Sequence, residues 1–254
     1  MKISSNIQEN IAYFHQLLDV EKNFDVVYHS LEIGGRQACL YFVDGFTKDE
    51  VLLRLMQTFV TVKQQDMPEN AHDFSKKYVS YGETGLETED SPIVIQLLSG
   101  LSCLFVDGYD QCITIDCRTY PARGVAEPDK DKVLRGSRDG FVETLIFNTA
   151  LIRRRIRDVA FTVEIMETGE SSHTDIAICY MKGRVDEELL KKIQTRIRTL
   201  KVDALTMNQE SLAECLFPHK WFNPFPKFRF SERPDTAATS ILEGSIVILV
   251  DNSP

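Results

Sequence analysis

Arginine is the residue type in this chain whose spacing most suggests chemistry. In residues 135–158, RGSRDGFVETLIFNTALIRRRIRD, a loop carrying Arg135, Ser137 and Arg138 between Gly136 and Gly140 leads into an apolar stretch, which ends in Arg153, Arg154, Arg155 and Arg157. Guanidinium groups are planar and always charged, and they suit bidentate pairing with carboxylate or phosphate. Three uses follow. Arg135, Ser137, Arg138 and Arg153 could bind an anionic ligand in a cleft. Arg154, Arg155 and Arg157, with Glu143, could tie two halves of the molecule together through salt bridges. The basic end could instead face an anionic membrane surface. Sequence alone does not rank the ligand and membrane readings.

Other reactive residue types offer less. His15, His29, His72, His173 and His219 show no H-x-x-x-H or H-E-x-x-H spacing, so zinc and triad chemistry lack a motif. The six cysteines, Cys39, Cys103, Cys112, Cys117, Cys179 and Cys215, contain no C-x-x-C pair and read as buried free thiols of a reducing compartment. Neither glycine-rich phosphate signature is present, and G-S-R-D-G resembles neither closely. No enzyme, metal or cofactor is expected.

The elements that must position the arginines can be read from periodicity. Phe141, Leu145, Ile146, Ala150, Leu151 and Ile156 keep helical spacing, with Asp139 as N-cap and Glu143 near the positive end of the helix dipole. Before this helix come a first helix running to about Val20, for which Ser4, Ser5 and Asn6 supply caps, and two β-rich runs joined by Gly34-Gly35, a dipeptide that accepts a tight hairpin. A helix over 48–62, a polar loop over 63–90 with a turn near Phe74, a helix opened by Ser91-Pro92 and stopped by Gly100, and two further strands follow. After it come a hairpin around Gly169, another helix, an aromatic and proline-rich cluster over 221–235, and a helix opened by Pro234.

The order of elements repeats. Asp186, Glu187, Leu189, Leu190, Gln194 and Thr195 recur from Asp49, Glu50, Leu52, Leu53, Gln57 and Thr58 at a step of 137 residues, and Leu242, Gly244, Val250 and Asp251 recur from Leu98, Gly100, Val106 and Asp107 at a step of 144. An α+β chain of two similar subdomains is expected, each a small mixed sheet with packed helices: residues 1–120, a linker at 121–134, and residues 135–254.

Composition limits the partners. With 43% hydrophobic and 26% charged residues the 254-residue chain is globular, and a net charge of −9 argues against nucleic-acid binding. The Met1 end lacks a signal peptide's basic start and apolar run, and no segment approaches the ~18 apolar residues of a membrane span, so a cytosolic, soluble chain is expected.

Three motifs carry a resemblance: RGSRDGFVETLIFNTALIRRRIRD, TDIAICYMKG, and NPFPKFRFSERPDTAATSILEGSIVILVD. Together they resemble the amino-terminal region of the GerA family, the A subunits of spore germinant receptors, with the closest fit to its stage V sporulation branch. The resemblance is strong beyond about Val106 and weak before it. It implies a soluble region preceding a polytopic membrane domain, at the spore inner membrane and on its core side. It further implies a non-enzymatic role in germination through ion release, and partners among other germination subunits in a homo-oligomeric complex. A small-molecule germinant sensor is the alternative it leaves open.

Overall fold

Gly34 and Gly35 take φ of +55° and +76°, the left-handed pair that a two-residue hairpin turn requires. The turn sets Val26–Ile33 (β1) against Arg36–Val43 (β2) in eight antiparallel pairs. In a computed structural model of the chain, the described residues are 1–79, 83–120, 139–200, 208–217 and 227–253. They fall into two units, Met1–Pro121 with Arg157–Val159, and Ala122–Ile156 with Ala160–Pro254. The expected linker at 121–134 lies outside the described residues.

The first unit begins with α1 (Ile7–Leu18), which Asn6 caps by accepting from the Gln8 amide. After β1 and β2 come α2 (Asp49–Thr61), a 3₁₀ turn (Gln64–Asp66), α3 (Ala71–Tyr78), β3 (Thr84–Glu87), α4 (Asp90–Leu98), β4 (Ser102–Val106) and β5 (Cys112–Ile115). The sheet order is β1-β2-β4-β5-β3. One face packs Leu40, Leu104 and Ile113 against Leu55 and Phe59 of α2 and Phe74 of α3. The other packs Tyr41, Cys103 and Phe105 against Phe14 of α1 and Ile93 and Leu97 of α4.

The second unit runs α5 (Leu145–Arg153), β6 (Phe161–Thr168), β7 (Thr174–Met181), α6 (Glu187–Thr199), α7 (Asn208–Leu216), α8 (Pro234–Leu242) and β8 (Val247–Val250), with sheet order β6-β7-β8. Ile176, Ile178 and Tyr180 on one face meet Leu190, Ile193 and Ile197 of α6 and Leu212 and Leu216 of α7. The α+β class and the duplication are both present, since α5, β6, β7, α6, α8 and β8 follow the order of α1, β1, β2, α2, α4 and β4.

Three expectations need correction. Among the described residues all the strand pairings are antiparallel rather than mixed. The connection from β2 to β4 leaves and returns at one end of the sheet, where Gly100 abuts Phe46, and so reverses the strand. The polar stretch 63–90 holds a whole helix, α3, and a strand, β3, where a loop with one turn was expected. Finally, the copies of the second helix, α2 and α6, align at a step of 138, not 137. The buried stripe Leu55, Phe59 of α2 falls on Ile193, Ile197 of α6, and the capping amides of Val62 and Leu200 bond the carbonyls of Phe59 and Ile197. A step of 137 would place Leu55 on the exposed Lys192. The step of 144 holds unchanged: Gly100 and Gly244 both donate to the carbonyl three residues back, at φ of +101° and +95°.

Candidate functional site

The site lies at both ends of α5. At its start the chain is held by two side chains distant from each other in sequence. Asn148, buried on the first turns of the helix, accepts from the Val142 amide at 2.8 Å and donates to the Val142 carbonyl at 2.5 Å. Asp251, just past β8, accepts from the Leu145 amide at 3.1 Å, where a carboxylate meets the positive end of the helix dipole. The first unit repeats both devices. Asn10 clasps the amide and carbonyl of Ser4 at 3.0 and 2.7 Å, and Asp107 accepts from the Ile7 amide at 3.1 Å. Sequence reasoning noted Asp107 and Asp251 as repeated letters without giving them this role, and it missed the asparagines, which lie 138 residues apart.

Asp139 is therefore not the N-cap. The helix begins six residues later, with Thr144 in the cap position, because the Asn148 clasp and a bond from the Phe141 amide to the Glu232 carbonyl hold residues 141–142 extended. Glu143 is exposed, and its carbonyl accepts from the Asn252 amide.

At the other end of α5 the arginines separate. Arg153 is 1% exposed. Its Nη1 donates to the Phe161 carbonyl at 3.0 Å, and its guanidinium lies 4.3 Å from the centre of the Phe161 ring. This is a stacked, desolvated arginine of the core. Arg154 caps the helix and is exposed. Arg155 donates to the Leu151 carbonyl at 2.7 Å and pairs with Asp139 at 2.5 Å. Arg157 donates to Ser99 Oγ at 3.2 Å within the first unit. Arg135, Ser137 and Arg138 lie outside the described residues.

A second ion pair adjoins the first. Arg233, 8% exposed, donates through Nε to Asp235 at 3.0 Å and also pairs with it through Nη2. Burial works against charge on Asp235, but the hydrogen bond from Arg233, the Thr236 amide and the nearby Arg155 outweigh it and hold the carboxyl below the ordinary range. Asp139, Arg155, Arg233 and Asp235 thus form one charge-balanced cluster at the entry to α8. A carboxylate whose charged form is favoured, locked to a guanidinium, makes a poor general base at neutral pH.

Elsewhere the described residues offer little chemistry. All six cysteines are free; five are buried as expected, and Cys215 on α7 is exposed. Burial pushes the Cys39 thiol up to about 12 and the Cys117 thiol to about 11, so neither is a nucleophile near neutrality. A cleft of about 260 Å³ in the second unit is lined by Glu210, Glu214, Phe217, Lys227, Phe228 and Phe230, and by none of the described arginines. No group of metal-ligating side chains occurs among the described residues.

Comparison with known proteins bears on this scaffold. The family described as Bacillus/Clostridium GerA spore germination protein matches residues 12–254. Stage V sporulation protein AF of Bacillus subtilis (strain 168) is 36% identical over 256 residues, covering 100% of this chain and 52% of that protein. Spore germination protein B1 of the same organism is 28% identical over 257 residues, with 100% and 52% covered. The crystal structure of the N-terminal domain of the A subunit of the Bacillus megaterium spore germinant receptor GerK3 has the same fold, with a TM-score of 0.74 at 22% identity, covering 100% of this chain and 94% of that one. The chain spans about half the length of the curated relatives it matches.

Proposed function

The chain belongs to the Bacillus/Clostridium GerA family of spore germination proteins, and from that premise we propose that it is the non-enzymatic N-terminal half of a spore membrane protein, coupling assembly or a germination signal to ion release through a membrane domain. The observation that carries this reading is the use made of the polar side chains around α5. Asn148, Asp251, Arg153, Arg155 and Arg233 are all spent on backbone groups or on internal ion pairs. Such a site is a rigid scaffold that transmits force rather than a reaction centre.

In this reading the region lies on the core side of the spore inner membrane, and its partners are other germination subunits, its own membrane domain and further copies of itself. No helix among the described residues is long and apolar enough to cross a membrane, so the spanning part is assigned to the other half of the protein. The test is deletion of residues 1–254 in the sporulating organism. Loss of receptor assembly or of germinative ion release is expected, and normal assembly with normal release would discard the proposal. A germinant-sensing role would rest instead on Arg135, Ser137 and Arg138. It would appear as saturable binding of a germinant in calorimetry.

A further inference from the structure

We infer that the outer edge of β8 receives one more antiparallel strand, supplied by the residues that follow Pro254 in the whole protein, just as β5 is supplied to β4. The inference rests on the reading above, in which the polypeptide continues into a membrane domain. Its evidence is a comparison internal to the molecule. β4 lies between β2 and β5, whereas among the described residues β8 has β7 as its single strand neighbour.

The step of 144 residues sets Ser102, Cys103 and Leu104, the residues of β4 that pair with β5, onto Ile246, Val247 and Ile248. The first three are buried, and the second three are half-buried. The next two positions of β4, Phe105 and Val106, do not pair with β5, and their counterparts Leu249 and Val250 are buried like them. Exposure on β8 is thus confined to the positions that a fourth strand would cover. Three consecutive apolar residues beside an open row of amides and carbonyls also form an edge that pairs readily with another chain unless it is filled.

The chain leaves β8 on the course it takes out of β4. The Asp107 and Asp251 amides donate to the carbonyls of Gln37 and Asp175, and the Gly108 and Asn252 amides donate to those of Ser5 and Glu143. Both Gly108 and Asn252 have positive φ, +87° and +58°. A reversal fixed by the same two bonds directs the following residues back along the outer edge of β8. Carried by the same step, β5 (Cys112–Ile115) falls at positions 256–259, with Val247 opposite position 258, the counterpart of Thr114. The strand should be short and apolar, like the Cys-Ile-Thr-Ile of β5.

The test uses the full-length protein in detergent, with Val247→Cys combined with cysteine at position 258. Oxidation should close a disulfide within one chain, and a control cysteine at position 261, off the predicted register, should not react. A disulfide between two copies would overturn the inference in favour of a second chain on this edge, and the absence of any disulfide would overturn it outright. Amide exchange gives a readout without substitutions. Amides of residues 246–248 that do not bond β7 should exchange at least about tenfold more slowly in the full-length protein than in residues 1–254, with β7 unchanged. Equal rates would count against the strand. Neither readout involves germination, so the strand can fail while the coupling role stands, and the reverse.

Discussion

Arg153 puts the ligand-binding and scaffold readings in direct conflict, because they assign its guanidinium opposite duties. Its counterpart in the first unit at a step of 138 is His15, whose ring meets Tyr28 edge-on at 4.5 Å, so both copies use this position for a contact with an aromatic of the neighbouring strand. Arg153→Ala should destabilise the second unit by about 3 kcal/mol, through the stranded Phe161 carbonyl and the space left behind. Arg153→Met, which keeps most of the packing, should cost about 1 kcal/mol. Urea unfolding of the two variants would check this. An arginine held for a ligand would leave stability unchanged in both, and that result would remove Arg153 from the scaffold. The sequence drew attention to this residue but gave no hint of its burial. Its partners, Phe161 and its carbonyl, lie on the strand after the helix, and a charge at the end of an apolar stripe reads locally as solvated.

At the level of elements, legibility tracked how local the determining forces are. The Gly34-Gly35 hairpin, the Asn6 cap and the helix opened by Pro234 were readable because a few adjacent residues decide them. β3 was not, since Thr-Gly-Leu-Glu has no strand alternation and becomes a strand by pairing with β5. The step of 137 misled for a related reason. Most of the six identities behind it are surface residues of α2, while the buried stripe that sets the helix's rotation matches at 138 without identity. Asn10 and Asn148 test the duplication at this scale. Each holds an amide and a carbonyl that no helix bond serves, so Asn10→Ala and Asn148→Ala should each cost about 2 kcal/mol. The losses should be local: amide exchange should rise in β1 and β2 for the first variant and in β6 and β7 for the second. Equal loosening of both hairpins by either variant would contradict two separately clasped copies.

For the molecule as a whole, the net charge of −9 leaves carboxylates in excess, and the few whose protonation is coupled to folding decide the response to acid. In the first unit, hydrogen bonds from the Met1 amino group and the Tyr13 hydroxyl hold Asp90 down to about 2, and Arg118 holds Asp116 below the ordinary range. In the second unit Arg233 lowers Asp235 against the effect of burial. A carboxylate depressed in the folded state binds its proton more weakly there than in the unfolded chain. Its contribution is therefore complete above about pH 4, the unfolded value, and drains away as pH falls through the folded one. Asp44 acts in the opposite sense. Burial raises its carboxyl, so protonation relieves a penalty and favours the folded state as pH falls towards about 4. With three depressed groups shared between two units and one raised group in the first, stability should change little from neutrality to about pH 5 and fall in both units below about pH 4. Asp235→Asn should flatten that fall for β6 and β7 amides while leaving β1 and β2 amides as they were, and Asp90→Asn should do the converse. Exchange measured across this range in the two variants would decide the matter, and an acid limb unchanged by either substitution would mean that these ion pairs do not govern it.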